Sequence, residues 1–420
     1  MTQHERAIRV YADWQAPNSP LWVGKLLAIK VRGKEVFAFE YNPQWLKTNT
    51  TQLDPDLQFF TGRQYLNHDK TNFGVFTDSS PDRWGRLLMR RREAAFARKE
   101  QRKENLLFER DYLLGVYDEH RMGALRFKLD EDSPFLHDNR AMAAPPFTSL
   151  RELEQASLRL EAEDSTEDPD YLKWLNMLMA PGSSLGGARP KASVIDPHQS
   201  LWIAKFPSTH DDKNMGAWEM VAHDLARQAG IKVADAFIEQ FGSRHHTFIT
   251  KRFDRNQQQR LHFASAMTLL GYTDGASFQE GVSYLNIAEF ILRNGVDVEA
   301  NLEELWRRIV FNIAISNTDD HLRNHGFLLT PKGWMLSPAY DMNANEHGTG
   351  LKLNITEHDN ALDFSLALEV APYFRLHPTA ATQIINDVQK IVANWQQVAN
   401  SYKISRTEQE LMRRAFRVTS

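Results

Sequence analysis

The sequence predicts an α+β fold of two lobes: a mixed α/β N-terminal lobe with an extra β-rich N-terminal subdomain, and a mainly helical C-terminal lobe. Three observations predict it. Short apolar runs broken by turn residues crowd the first part of the chain: Ile8 to Ala12, then Leu21 to Val31 and Val36 to Tyr41 around Arg32-Gly33-Lys34, then Ala192 to Ile195 and Leu201 to Phe206 around Asp196-Pro197-His198. Further on, the apolar period becomes helical, as in Leu302, Leu305, Trp306, Ile309, Val310 and Ile313, and again from Ile384 to Val398. A chain of 420 residues, 42% hydrophobic, can also bury a large core split into two or more units. The expected segments are an N-terminal subdomain, 1–150; a small lobe, 151–255; and a helical lobe, 256–420.

The remaining elements follow in order. Arg83 to Lys103 is strongly basic, with Arg90-Arg91-Arg92 at its centre and Leu87, Leu88, Ala95 and Phe96 interleaved, which predicts a long amphipathic helix with a solvated basic face; a phosphate or partner contact is the alternative. Glu161 to Asp170 is acidic and contains proline, as a linker would. Trp218, Val221, Ala222, Leu225, Ala226 and Ala229 mark a buried helical stripe, with Gly230 at the C-terminal cap and Glu219 on the first turn. Glu303 and Glu304 lie four residues before Arg307 and Arg308, suiting an exposed helical face. That helix should end near Ser316 and Asn317. Gly326 to Leu329 and Trp334 to Leu336, around Pro331-Lys332-Gly333, read as a hairpin that returns the chain toward Asp341.

The chemistry concentrates at that return. Asp319 and Asn324 stand in a D-x-x-x-x-N spacing, with Asp341 following 17 residues after the Asn. Phosphoryl transfer needs one acid to orient and deprotonate an attacking hydroxyl and two groups to hold metal on the phosphates. Asp, Asn and His also gather in ordinary turns, where they bond their own backbone. His321 and His325 have the spacing of a helical metal pair, but they follow a helix end and the chain has no cysteine to complete a mixed zinc site.

Upstream, Pro181 to Lys191 is a glycine-rich loop whose backbone N–H groups could approach phosphate, though it matches neither G-x-G-x-x-G nor the Walker pattern. Lys205, flanked by apolar residues on a strand, would extend into a cleft. Glu219, 14 residues later, suits a partner for that lysine, or an acid favoured by the helix dipole. The order is then glycine-rich loop, strand lysine, helix glutamate, catalytic acid and two metal-holding groups, which implies a protein-kinase-like version of the two-lobed fold.

Ser184-Leu185-Gly186-Gly187-Ala188-Arg189-Pro190-Lys191, Ile203-Ala204-Lys205-Phe206-Pro207, Lys251-Arg252-Phe253-Asp254-Arg255, Asn317-Thr318-Asp319-x-His321-x-x-Asn324 and Ala339-Tyr340-Asp341 together resemble HipA, the toxin kinase of bacterial type II toxin–antitoxin modules. The resemblance covers about residues 150–345, and Met122-Gly123-Ala124-Leu125 extends it to the N-terminal subdomain. It implies ATP and Mg2+ as cofactors, and roles residue by residue. Asp319 is the general base or orienting acid for the protein hydroxyl, and His321, the second catalytic candidate, sits beside the phosphates. Asn324 and Asp341 ligate magnesium. Gly186, Gly187, Ala188, Arg189, Lys191 and Lys205 face the nucleotide phosphates, with Glu219 supporting Lys205. Lys251, Arg252 and Phe253 form the adenine hinge, and Tyr340 completes the nucleotide side. Ser184, or its neighbour Ser183, falls where family members phosphorylate themselves; a phosphate there adds about −1.5 to −2 charge in the nucleotide's own place. Two features depart from common kinases: Arg189-Pro190 stiffens the loop, and Tyr340-Asp341-Met342 stands in place of D-F-G.

The resemblance further implies a protein substrate, typically an aminoacyl-tRNA synthetase such as glutamyl-tRNA synthetase, and a separate helix-turn-helix antitoxin chain through which DNA is reached only indirectly. The residues themselves leave open a small-molecule or lipid kinase on the same scaffold, or an antitoxin-binding corepressor. A net charge of −4 argues against a strong nucleic-acid binder. No apolar run is long enough to span a membrane and no signal pattern opens the chain, so no membrane role is expected. Zero cysteines fit a cytoplasmic protein.

Overall fold

A computed structural model of the chain describes residues 4–14, 20–66, 70–162, 166, 168–179, 189–257 and 259–417. Its contacts group into two compact units, Met1–Thr209 with Asp254–Ala264, and His210–Phe253 with Ser265–Ser420. The segment 151–255 expected to form one small lobe is divided between them.

The first unit is built on a five-stranded antiparallel sheet. His4–Ala12 lies between Leu21–Val31 and Leu125–Lys128, and Lys34–Tyr41 and then Arg63–Tyr65 extend the other side. Alternate residues such as Ile8, Val10 and Ala12 turn inward because a strand's side chains alternate between faces. The turn at Arg32-Gly33 has both residues at positive φ, the geometry of a tight hairpin. The predicted hairpin around Asp196-Pro197-His198 also forms, pairing Lys191–Ile195 with Leu201–Lys205 so that Lys191 sits opposite Lys205.

The basic stretch forms a helix, Arg83–Lys99, but its basic side chains are not simply solvated. Arg91 donates to Leu160 O at 2.8 Å, and Arg92 runs inward between the sulfurs of Met142 and Met179. Burial without a carboxylate holds the Arg92 guanidinium below its ordinary pKa. Arg86 forks onto Glu109 at 2.6 and 2.7 Å. The helix thus spends part of its charge on packing its long stems. The acidic "linker" is partly structural too: Glu161 ends the Leu150–Glu161 helix, and its carboxylate receives Ser208 Oγ, Thr209 N and Thr209 Oγ1 at 2.7 to 3.1 Å.

In the second unit the helix Met215–Gln228 begins at Asn214, whose side chain accepts from Ala217 N at 3.3 Å, and it ends before Gly230, at φ +80°. Glu219 therefore lies one turn further in than expected, buried and beyond the favourable dipole of the first turn. Beside it are the strands Ala236–Glu239 and Thr247–Lys251. The core is the helix Val298–Ala314, with Leu302, Leu305, Trp306, Ile309, Val310 and Ile313 fully buried. Glu303 and Arg307 pair on its exposed side, as the sequence suggests. Glu304 and Arg308 do not: they are buried, with Arg308 bridging Glu304 Oε1 at 2.8 Å and Ser337 O at 2.6 Å. The stripe from Ile384 to Val398 is two helices, Pro378–Val392 and Trp395–Ser401. Asn394 breaks them apart by turning its side chain back onto Lys390 O at 3.1 Å, a local bond that competes with helix continuation. Among the described residues no helix is long and apolar enough to cross a membrane.

Candidate active site

The Val298–Ala314 helix ends two residues before a strained point, Ser316 at φ +50°. The chain then turns through Asn317-Thr318-Asp319-Asp320 into a short 3-10 turn, Leu322–Asn324, and enters the hairpin Gly326–Thr330 and Gly333–Leu336. The hairpin delivers Asp341 by way of a bond from Ser337 N to Gly326 O at 2.8 Å. Ala339 N donates to Lys232 O at 2.7 Å, which anchors the residue before Tyr340 to the end of the Glu219-bearing helix segment.

Two adjacent acids in this loop have opposite environments. Asp319 is exposed, while Asp320 is buried. The Oδ2 of Asp320 accepts from Tyr284 Oη at 2.6 Å, Asn312 Nδ2 at 2.8 Å and His325 Nε2 at 2.8 Å. Burial pushes the Asp320 carboxyl up, but His325, Tyr284 and the nearby His321 more than offset it and hold the carboxyl below its usual range. The same contact, added to burial, drives the Tyr284 hydroxyl well above its ordinary pKa. Asn312 passes the network on, accepting at Oδ1 from Asn317 Nδ2 at 3.0 Å, and Asn317 Oδ1 accepts from Asn343 N at 3.3 Å. Residues just before Asp319, just after Asn324 and just after Asp341 are thus tied to one buried carboxylate. Sequence reasoning missed this group. Its signal was Asn312, a polar residue in register with Leu305 and Ile309 on a buried stripe.

The candidate metal-holding groups lie on this frame. Asn324 is buried; its Nδ2 donates to Asp319 O at 3.3 Å, while its Oδ1 has no hydrogen-bond partner among the described residues. A buried amide oxygen without a donor is costly, and it suits a hard cation that takes oxygen ligands. Asp341 is half-buried at φ +59°, a left-handed conformation that aspartate tolerates but that needs surrounding support. Its Oδ1 accepts from Asn343 Nδ2 at 3.4 Å. Among the described residues no cluster of three or more His, Cys, Asp or Glu could hold a metal ion alone. His321 is half-buried, and among the described residues its Nδ1 has no hydrogen-bond partner.

Of the residues expected on the nucleotide side, some belong to the second unit and some to the first. In the second unit Phe253 packs on Tyr340 with ring centroids 5.5 Å apart, and Tyr340 Oη donates to Arg323 O at 2.6 Å, which joins the segment expected to form the hinge to both the Asp319–Asn324 loop and the Asp341 turn. Lys251 N donates to Asp235 O at 2.8 Å, and Arg252 is buried. Glu219 belongs to this unit as well. Arg189, Lys191 and Lys205 belong to the first. Lys191 is buried with its Nζ 2.9 Å from Asp82 Oδ2, and its carbonyl accepts from Trp84 Nε1 at 3.0 Å, so its ammonium is committed to the start of the basic helix. Arg189 Nη2 lies 3.5 Å from Phe206 O. Ser183, Ser184, Gly186, Gly187 and Ala188 lie outside the described residues. Asp254, next to the hinge and within the first unit, accepts from Gly123 N at 2.8 Å and pairs with Arg255 at 2.6 Å, which gives the Met122-Gly123-Ala124 segment a structural purpose.

The chain is similar to several known proteins. A provisionally named kinase of Haemophilus influenzae is 30% identical over 179 residues, 38% of this chain and 52% of that protein. The serine/threonine-protein kinase toxin HipA of Shewanella oneidensis is 26% identical over 223 residues, 47% of this chain and 50% of its own. The chain therefore spans about half the length of these curated relatives. A chain in the solved complex of the Shewanella oneidensis MR-1 toxin–antitoxin system HipA, HipB and its operator DNA superposes with a TM-score of 0.65 at 18% identity, covering 97% of this chain and 94% of that one. The likeness bears out the α+β, kinase-like fold. The model of the HipA-like C-terminal domain matches residues 183–395, a span that holds Lys251 to Phe253, Asp319, Asn324 and Asp341. With that match extending over just more than half of its residues, the chain belongs to the HipA family.

Proposed function

We propose that this chain is an ATP- and magnesium-dependent serine/threonine protein kinase of the HipA toxin type, transferring the γ-phosphate to a protein hydroxyl. One observation carries the reading: a buried, donorless Asn324 Oδ1 beside an exposed Asp319, on a loop whose neighbour Asp320 is fixed by three buried donors. Such a loop holds its acid and its amide oxygen without reorganisation, which is what charge stabilisation in phosphoryl transfer requires. Asp319 orients the acceptor hydroxyl and takes its proton. Asn324 and Asp341 would hold Mg2+, which when bound neutralises charge on the phosphates. Lys205 and the glycine-rich loop through Gly186, Gly187, Ala188 and Arg189 contact the phosphates, with Glu219 in support and His321 beside them; Lys191, its ammonium held by Asp82, serves the start of the basic helix instead. Lys251, Arg252, Phe253 and Tyr340 receive the adenine.

Under the same reading Ser184 or Ser183 is autophosphorylated. The protein substrate is a translation enzyme, an aminoacyl-tRNA synthetase such as glutamyl-tRNA synthetase, and the site of action is the cytoplasm. The Shewanella relative was solved with HipB and operator DNA, which supports a separate antitoxin chain here, with DNA reached only through it. The test is phosphopeptide mass spectrometry of cells expressing wild type or Asp319→Asn. Phosphorylation of the glycine-rich loop and of a synthetase, both lost in the variant, is the expected result. Label found only on sugars or lipids would move the function to a small-molecule kinase.

A further inference from the structure

We propose that Lys213 and Glu346 are positioning residues that couple the start of the Glu219-bearing helix to the catalytic loop; their effect on turnover rests on the kinase reading above. Lys213 Nζ forms an ion pair with Glu346 Oε1, and the two side chains are only 15% and 12% exposed. Lys213 Nζ also touches Met412 Sδ at 3.4 Å, and His347 Nε2 stands 3.8 Å from Glu346 on its exposed side.

Each end of the pair is fastened to something that matters. Lys213 precedes Asn214, the cap of the Met215–Gln228 helix. Asn214 accepts at Oδ1 from Ala217 N at 3.3 Å and from His246 N at 2.9 Å. Glu408 Oε2 accepts from Asn214 N at 3.0 Å and from Trp218 Nε1 at 3.3 Å. A shift of Lys213 is therefore a shift of the helix start. At the other end, Asn345 Nδ2 donates to Thr318 Oγ1 at 2.7 Å, and Thr318 immediately precedes Asp319. Gly348 lies so close to Thr318 that an added Cβ would stand 2.4 Å from its Cγ2. Arg417 closes the same corner, donating from Nε to Ser316 Oγ at 3.0 Å and from Nη2 to Gly348 O at 3.3 Å.

The segment from Asn343 to Gly348 is thus a strap with the helix start at one end and the catalytic acid at the other. An ion pair with little solvent exposure pays for desolvation, and two apolar residues of similar volume would often hold the fold as well. What the pair adds is a fixed register between two elements 133 residues apart.

The test is hydrogen–deuterium exchange of the full chain, read by mass spectrometry, alongside steady-state kinetics with ATP and Mg2+. The variants are Lys213→Met, Glu346→Gln, the charge swap Lys213→Glu with Glu346→Lys, and Asn345→Ala. Each single change at the ion pair should speed exchange across 316–325 roughly tenfold and leave the Val298–Ala314 core helix unchanged. kcat should fall roughly 10- to 100-fold with little change in KM, and the swap should recover most of both losses. Asn345→Ala should loosen 316–325 while leaving 213–219 protected. Unchanged exchange at 316–325 in both single variants overturns the coupling, as does a uniform rise across the chain, which marks a merely structural pair. Local loosening in the variants, with a wild type that transfers no phosphate, supports the coupling and removes the kinase reading instead.

Discussion

The imidazole of His325 and the carboxylate of Asp320 meet at 2.8 Å, both buried, and the bond spans the turn that presents Asn324. It closes a small loop across the 3-10 turn, so the position of Asn324 is set by a side-chain bond beneath it.

Asp320→Asn should therefore weaken both fold and function. The amide cannot accept three donors at one oxygen as the carboxylate does, so at least one of Tyr284, Asn312 and His325 is left unpaired in the interior. The expected loss is about 2 kcal/mol in denaturant unfolding, with a fall in kcat beyond what the folded fraction explains. An equally stable, fully active variant would show that the network is ornamental.

Asn324→Leu should cost the fold little, because among the described residues Asn324 Oδ1 has no partner and the bond lost is the long one, 3.3 Å, from Nδ2 to Asp319 O. The Mg2+ concentration needed for half-maximal phosphate transfer should rise about 10- to 100-fold, as when metal-site support is removed. A magnesium titration of both proteins decides it.

Gly348→Ala should be costly for a residue in a loop. Its Cβ would meet the Thr318 methyl at 2.4 Å, and Thr318 cannot retreat without moving Asp319. A loss of about 1 to 3 kcal/mol is expected, with kcat falling more than KM changes.

Arg121 is fully buried and donates to four carbonyl oxygens, those of Ser79, Leu113, Val116 and Leu136, at 2.7 to 3.1 Å. Burial lowers its pKa to about 9. Arg121→Met strands those carbonyls and should destabilise the first unit by about 3 to 5 kcal/mol, as for a broken buried polar network. Thermal unfolding measures it.

Asp54 supplies a pH signature. Burial raises its carboxyl pKa to about 6, against the bonds it accepts from Val75 and Asp56 N–H groups. An acid whose pKa is higher folded than unfolded contributes stability that is complete below its unfolded value and is lost as pH rises through the folded one. The contribution should fade between about pH 4 and 6, by about 2 to 3 kcal/mol. The stability difference between wild type and Asp54→Asn, measured across that range, should shrink or reverse as pH rises; a pH-independent difference contradicts the assignment.

Much of the candidate site could be read from the sequence because its parts are local. The D-x-x-x-x-N spacing lies on one turn, and the Gly326–Thr330 hairpin that returns Asp341 carries its own turn residues. Helical period located the Val298–Ala314 core. What could not be read is what long-range burial decides. Glu304 and Arg308 have the spacing of a surface pair, and only the approach of Ser337 from the hairpin turns them inward. Tyr284 reaches Asp320 across 36 residues, and Lys213 reaches Glu346 across 133. No period marks a polar residue whose partner arrives from another element. The break at Asn394 was legible in kind, since asparagine bonds its own backbone, but the unbroken apolar stripe around it outweighed that cue.

Incubating purified wild type and Asp319→Asn with γ-labelled ATP and Mg2+ tests the central claim most directly. The account predicts label on the wild-type chain at Ser184 or Ser183 and none on the variant. Equal incorporation in both proteins, or none in either at any magnesium concentration, would contradict it.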